Sequence, residues 1–175
     1  MSALLALSLI IGYVEYLIPL PVGIPGVKPG IANVIVLICL MFYGWKEAFL
    51  ILLLRIFLQG FLFGNFFGTV FSLFGGILAF LAMSGAYALN GEDERLKLSI
   101  IGISMIGGVF HNIGQTLAAA VLIDELRVIS YLPVLMSAGL LSGALTGVLA
   151  FYLKRPLEKI LTEYRGGSHD RISER

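Results

Sequence analysis

The chain has 175 residues, of which 58% are hydrophobic and 13% are charged, and its mean hydropathy is +0.96. This composition excludes an ordinary soluble domain and indicates a polytopic membrane protein, because each helical crossing needs about 20 apolar residues. The net charge of +1 gives no sign of nucleic acid binding, and the single Cys39 has no partner for a disulfide or a metal cluster.

The apolar runs predict one all-α bundle of six transmembrane helices. Four prolines and three glycines between Pro19 and Gly30 end the first helix and predict a stiff loop before the second. Residues 1–155 form the predicted transmembrane domain, and residues 156–175 form a polar cytoplasmic tail. The six predicted helices are 2–18, 31–43, 47–63, 67–89, 98–123 and 131–154.

The distribution of lysine and arginine predicts the orientation of this bundle. Six crossings place both termini on one side, and that side carries nine basic residues outside the helix interiors against two on the other. Basic residues favour the cytoplasmic side, so both termini are expected in the cytoplasm of a multi-pass protein in a prokaryotic plasma membrane. The two basic residues on the outer side are Lys28 and Arg127.

Polar side chains within the predicted helices are the main functional signal, because such groups are costly in lipid unless they form a route, a site or a helix–helix clamp. His111 and Gln115 share one helix face. Gly107, Gly108 and Gly114 on the same helix have no side chains and let another group approach its backbone closely. We interpret this segment as one wall of a small-molecule site, with an interhelical hydrogen-bonded clamp as the alternative. The other candidates for this site are Arg55, Gln59, Asn112, Glu15 and Asn33.

The candidate residues are expected to share the outer half of the bilayer. A rise of about 1.5 Å per residue puts Arg55 about 12 Å and Gln59 about 18 Å from the cytoplasmic end. His111 and Glu15 then lie at about 20 Å, and Asn33 lies within one turn of the outer surface. This shared depth predicts a cavity open to the outside, over which the Pro/Gly-rich loop would act as a lid.

Arg55 is the most informative of these residues, because a guanidinium at mid-depth needs a carboxylate or an anionic ligand as its partner. Arg55 is therefore expected either to grip a carboxylate or phosphate of a solute, with Glu15 tuning it, or to form an ion pair with Glu15 that merely joins two helices. Five phenylalanines could hold an apolar part of the solute, although such residues more often face lipid or the core: Phe57, Phe61, Phe63, Phe66 and Phe67.

Several kinds of chemistry are not expected. The sequence has no P-loop, no Asp-rich motif suited to Mg²⁺-diphosphate chemistry and no Cys/His spacing for a metal. We therefore predict a protein that is not an enzyme, with no catalytic residues, cofactor or metal, and too short to be a self-sufficient transporter. Small residues on the first helix form a stripe suited either to internal packing or to a partner: Ala3, Ala6, Ser8 and Gly12.

Four segments together resemble the Gx transporter family, which is also described as heptaprenyl diphosphate synthase component I. These segments are residues 15–19 (EYLIP), 24–33 (IPGVKPGIAN), 46–48 (KEA) leading to Arg55, and 107–115 (GGVFHNIGQ). The family looks like the substrate-binding S components of energy-coupling factor transporters.

The resemblance implies a small six-helix protein with a solute site near the outer face. It also implies that the stripe of Ala3, Ala6, Ser8 and Gly12 binds a transmembrane coupling subunit, which in turn carries two cytoplasmic ATPases. The leading interpretation is thus the solute-binding subunit of an importer for a small, anionic or amphipathic solute. The alternative is a membrane accessory subunit of a prenyl diphosphate synthase.

Overall fold

The computed structural model describes residues 1–17, 32–63, 66–92 and 98–173, with side chains for all of these except 16, 91, 92 and 160–173. Within these ranges the protein is all-helical, which confirms the predicted class and the six helices. The predicted bounds agree to within three residues except at the end of the last helix. The helices are α1 (Ser2–Leu17), α2 (Asn33–Tyr43), α3 (Trp45–Leu62), α4 (Phe66–Glu92), α5 (Ile100–Ile123) and α6 (Leu132–Ser173), with a 3₁₀ helix at Leu126–Tyr131.

Three helical stretches are long and apolar enough to cross a membrane, which makes this a membrane protein. Two further apolar helices, Ser2–Glu15 and Asn33–Tyr43, are shorter. α3 carries three charged residues, Lys46, Glu47 and Arg55. The three long stretches are Phe66–Asn90, Ile100–Ile123 and Leu126–Lys159.

α2 and α3 form an antiparallel pair around a glycine turn. Gly44 ends α2 and precedes α3 with φ 97° and ψ −179°, a backbone conformation that is essentially restricted to glycine. Trp45 follows at once and is 60% exposed, with the Lys46 ammonium over its ring. An exposed Trp–Lys pair at a helix start is typical of a membrane–water boundary, so this turn marks one edge of the bundle.

α2 is the central helix, although it is the shortest. Seven consecutive residues, 34 to 40, are all buried, so α2 is covered on every side. Its neighbours in the core include Leu52 of α3, Phe80 of α4, Ile103 of α5 and Ala150 of α6. Because α2 has only 11 residues, its axis is about 15 Å long, which is about half the thickness of a 30 Å hydrocarbon layer.

α5 lies between α4 and α6 with its backbone in contact with both. A Cβ on Gly114 would lie 2.6 Å from the Phe74 carbonyl oxygen of α4, and a Cβ on Gly143 of α6 would lie 2.6 Å from the Ser104 carbonyl oxygen. Gly108 and Gly139 are packed equally closely against each other. Small residues let helices approach in this way, and they make α4, α5 and α6 a tightly packed layer.

The last helix is longer than the sequence predicts. α6 was expected to end at residue 154 but continues to Ser173, with Pro156 inside it. The proline removes one backbone donor, and the i,i+4 ion pair of Lys154 with Glu158, 3.7 Å apart, supports the helix across that position. The polar tail is therefore a helical continuation of the bundle as far as residue 173.

Candidate functional site

A hydrogen bond between α2 and α3 is the first element of the site. The Arg55 guanidinium donates from one of its Nη atoms to Oδ1 of Asn33 over 2.8 Å. Both residues are 11 positions from Gly44, so the two antiparallel helices bring them to the same level. The sequence argument placed Asn33 within a turn of the outer surface, but the short α2 puts it beside Arg55, about 15 Å from the Gly44 turn.

The two ionisable groups of this region are both buried. Arg55 is 5% exposed and Glu15 of α1 is 8% exposed. Their charges act on each other, which lowers the cost of burying either one. Arg55 Nε has no hydrogen-bond partner among the described residues, so the guanidinium keeps donor capacity beyond its bond to Asn33.

Gln59 contacts α1 and does not line the cavity. Its side-chain amide donates to the Ser8 carbonyl over 3.4 Å and fills the space next to Gly12, where a Cβ would collide with it. Ser8 is fully buried, whereas Ala3 and Ala6 are exposed. The stripe of small residues on α1 is therefore divided between an inner face, which packs on α3, and an outer face.

A small cavity lined by several polar side chains lies where α2, α4, α5 and α6 meet. Its volume is about 20 Å³, enough for roughly one water molecule. Asn33 lines it and connects it to Arg55 through their hydrogen bond. The lining residues are Asn33, Met83, Ser104, Gly107, Gly108, His111, Asn112, Ser142, Gly143 and Thr146.

The three polar residues predicted on α5 face different neighbours. His111 and Asn112 both line the cavity, and the Asn112 amide donates to the Leu135 carbonyl of α6. Gln115 instead packs against Gly75 of α4, where a Cβ would lie 2.7 Å from its Cγ. Asn112 thus combines the two roles that were set out as alternatives, a wall of the cavity and an interhelical clamp.

Four side chains of the cavity were not foreseen. Ser104 and Thr146 are 3% and 4% exposed, and Met83 is 4% exposed. Ser142 donates to the Gly139 carbonyl of its own helix. The spacing of Ser142 and Thr146, four residues apart among the α6 glycines, is a signal that could have indicated a polar helix face.

The phenylalanines expected to hold an apolar part of the solute lie mostly on the bundle surface. Phe57, Phe61, Phe66 and Phe67 are 57%, 89%, 72% and 54% exposed. Phe63 packs its ring against Tyr13, with centroids 4.7 Å apart. Four of the five rings therefore lie on the surface of the bundle, and none of the five lines the cavity, so they do not hold the solute there.

A metal site has no support in the described part of the chain, where no three His, Cys, Asp or Glu side chains come together. What the arrangement offers is hydrogen bonding around a cavity, with a buried cation next to it. Arg55 supplies the positive charge, His111 and Asn112 supply polar ring and amide groups, and Ser104 and Thr146 supply hydroxyls.

The comparisons with known proteins agree with the predicted family. A family model for heptaprenyl diphosphate synthase component I matches residues 4–153. No match was found among curated proteins or among solved structures. The matched range runs from α1 to the part of α6 that packs on α5, and so includes every described residue of the cavity. Because the match covers most of the chain, the protein belongs to the heptaprenyl diphosphate synthase component I family.

Proposed function

We propose that the protein is the solute-binding subunit of an energy-coupling factor type importer. In this proposal the chain crosses the plasma membrane of a prokaryote six times, with both termini in the cytoplasm. The chain captures a small solute with an anionic group from the outer face. It hydrolyses no ATP itself, since the sequence has no P-loop.

The observation that carries the proposal is the hydrogen bond that joins Arg55 to a cavity with several polar side chains inside an apolar bundle. A buried guanidinium with spare donor capacity attracts a carboxylate or phosphate, and Asn33 links it directly to the cavity wall. His111 and Asn112 would then hydrogen-bond the rest of the solute. Glu15 would stabilise Arg55 in the absence of solute. Gln59 and Gln115 would act indirectly, by holding α1 and α4 in place.

The proposal assigns the coupling partner to the exposed face of α1, which points away from α3. Ala3 and Ala6 are exposed there, and small residues allow another transmembrane helix to approach closely. Ser8 and Gly12 contribute only by holding α1 against α3. The partner would be a transmembrane coupling subunit that carries two ATPase subunits.

The test compares Arg55→Ala with a matched surface variant, Arg127→Ala. The Arg127 side chain is 91% exposed, so its removal deletes the same chemical group outside the site. Full-length protein is purified from membranes, and the small molecules that stay bound are identified and counted by mass spectrometry. We expect the wild type and Arg127→Ala to retain an anionic solute and Arg55→Ala to lose it. Retention of the same amount of solute by all three proteins would refute the binding of an anionic solute by Arg55.

The name of the family supports a second candidate, an accessory subunit of a prenyl diphosphate synthase. Affinity purification from native membranes separates the two. Capture of a coupling subunit with ATPases supports import, whereas capture of a soluble prenyl synthase supports the accessory role and contradicts the importer.

A further inference from the structure

The cavity is much smaller than a solute. Its volume of about 20 Å³ suits one water molecule, whereas small-molecule sites in proteins usually measure roughly 300–1,000 Å³. A solute that reaches this cavity must therefore displace part of its wall. The side chains and helices of that wall differ greatly in how readily they can move.

The helices on the α5 side of the cavity are difficult to separate. Gly108 lies against the Gly139 carbonyl, and Gly143 lies against the backbone of Ser104 and Met105. Widening the cavity by moving α5 away from α6 would break these close contacts over several turns. The lining hydroxyl side chains of Ser104 and Thr146 are short, so their rotation would release little space.

Met83 differs from the rest of the wall. It has the most rotatable bonds of the lining side chains, and an unbranched thioether adapts its conformation at low cost. Its Cγ and Sδ both lie 2.6 Å from where a Cβ on Gly107 would be. Met83 therefore fills the space that glycine leaves at residue 107, and it is only 4% exposed.

The two ends of the cavity have different chemistry. Ser104 precedes His111 by seven residues, which corresponds to about 10 Å along α5. Thr146 lies near Ser104 in this layer, because the adjacent Gly147 packs on Ile101 and Ser104. Hydroxyls donate and accept hydrogen bonds without carrying charge. The end at Ser104 and Thr146 thus suits a neutral polar group, whereas the end joined to Arg55 through Asn33 suits an anion.

We infer that Met83 is a movable plug. Withdrawal of its side chain from Gly107 opens a slot toward Ser104 and Thr146 that receives a neutral hydrogen-bonding group of the solute. The occupant of the slot rests on the proposed function, whereas the plug is a property of the helix packing alone. The solute would then be polar at both ends, with an anionic group at one end and a neutral hydrogen-bonding group at the other.

The test measures how fast a thiol at residue 104 reacts. Ser104→Cys is introduced into full-length protein that carries Cys39→Ala, and the purified protein is treated with neutral methyl methanethiosulfonate or cationic 2-aminoethyl methanethiosulfonate. We expect Met83→Ala to accelerate the neutral reagent about tenfold or more, equivalent to about 1.4 kcal/mol in the cost of exposing the thiol. The cationic reagent should gain less, because the charge of Arg55, which is hydrogen-bonded to Asn33 of the cavity wall, repels it.

The control on the same helix is Leu81→Ala, which truncates a side chain that is 59% exposed and outside the cavity. It should leave both rates unchanged. Thr146→Cys serves as a second reporter if Ser104→Cys misfolds. No acceleration by Met83→Ala at either reporter, or equal acceleration by Leu81→Ala, would overturn the plug. Equal gains for the two reagents would overturn the preference for neutral groups.

The outcome is separable from that of the proposed function. If Arg55→Ala keeps its solute while Met83→Ala accelerates the thiol reaction, Arg55 does not bind the solute, and the inference about Met83 is supported. If Arg55→Ala loses its solute while Met83→Ala changes no rate, the solute site stands and the plug fails.

Discussion

Arg55 shows how a membrane bundle can hold a buried charge. The guanidinium has an amide oxygen of Asn33 as a neutral acceptor and the charge of Glu15 acting on it from α1. Arg55 of α3 therefore interacts with both α1 and α2. Loss of Asn33 should be more harmful than loss of an ordinary amide, because it leaves a charged donor buried with fewer partners.

A double-mutant cycle at this pair tests that dependence. We expect Asn33→Leu to lower the free energy of unfolding by about 1.5–3 kcal/mol, the usual worth of a hydrogen bond to a charged group. The double variant Asn33→Leu/Arg55→Met should cost less than the sum of the two single changes, because the second change removes the poorly satisfied guanidinium. Thermal or denaturant unfolding of the purified protein measures both effects.

An exposed amide provides the comparison for this cycle. Asn90→Ala removes an amide whose hydrogen bonds to Leu98 are exposed to solvent. It should cost less than Asn33→Leu. Strict additivity of Asn33→Leu and Arg55→Met would mean that the two side chains do not depend on each other.

Glycines allow α5 and α6 to pack closely against each other. Along α5 and α6 the contacts pair Ile101 with Gly147, Ser104 with Gly143 and Gly108 with Gly139. Residue numbers rise on one helix as they fall on the other, as in any antiparallel pair. This spacing of four residues keeps the two axes close over about two turns and forms the rigid side of the cavity.

A methyl group at the centre of this contact should force the helices apart. We expect Gly108→Ala to destabilise the protein by about 1–3 kcal/mol through overpacking against the Gly139 carbonyl. Gly85→Ala is the matched control, since nothing lies within 4 Å of a Cβ at that helical glycine. It should be neutral or stabilising by up to about 1 kcal/mol. Equal unfolding temperatures for the two variants would contradict close packing at Gly108.

The whole molecule has an alternating direction of helices. Gly12 contacts Gln59 and Tyr13 contacts Phe63, so residue numbers on α1 and α3 rise together, as they should for the first and third helices of a chain that turns back each time. α4 and α5 run opposite to each other, with Gly75 near His111 and Met83 near Gly107. This alternation supports the proposed six crossings of the membrane by the chain.

Single cysteines report that topology in cells. In a Cys39→Ala background, Ser2→Cys and Glu125→Cys lie at the start of α1 and between α5 and α6, and both positions are exposed. A membrane-impermeant maleimide applied to intact cells should label Glu125→Cys and leave Ser2→Cys unlabelled until the cells are opened. Labelling of Ser2→Cys in intact cells would reverse the proposed orientation.

The sequence by itself determined the helices and the family. Proline and glycine fix where a helix stops, and runs of apolar residues fix where one continues, so five of the six helix ends could be predicted to within three residues. The exception, α6, continued through Pro156 because flanking residues supported the helix locally. The presence of Arg55, His111 and Asn112 in apolar segments also indicated a polar site, and two of these line the cavity.

Only the tertiary structure decided which way each helix faces. In a soluble helix the apolar side marks the core, but here lipid and core are both apolar, so the pattern leaves the rotation of a helix open. For that reason only the packing shows that Gln59 lies against Gly12 and Gln115 against Gly75. The same holds for the exposure of the phenylalanines. The contact of Asn33 with Arg55 likewise depends on α2 being the central helix, because the burial of residues 34 to 40 is a property of the packing.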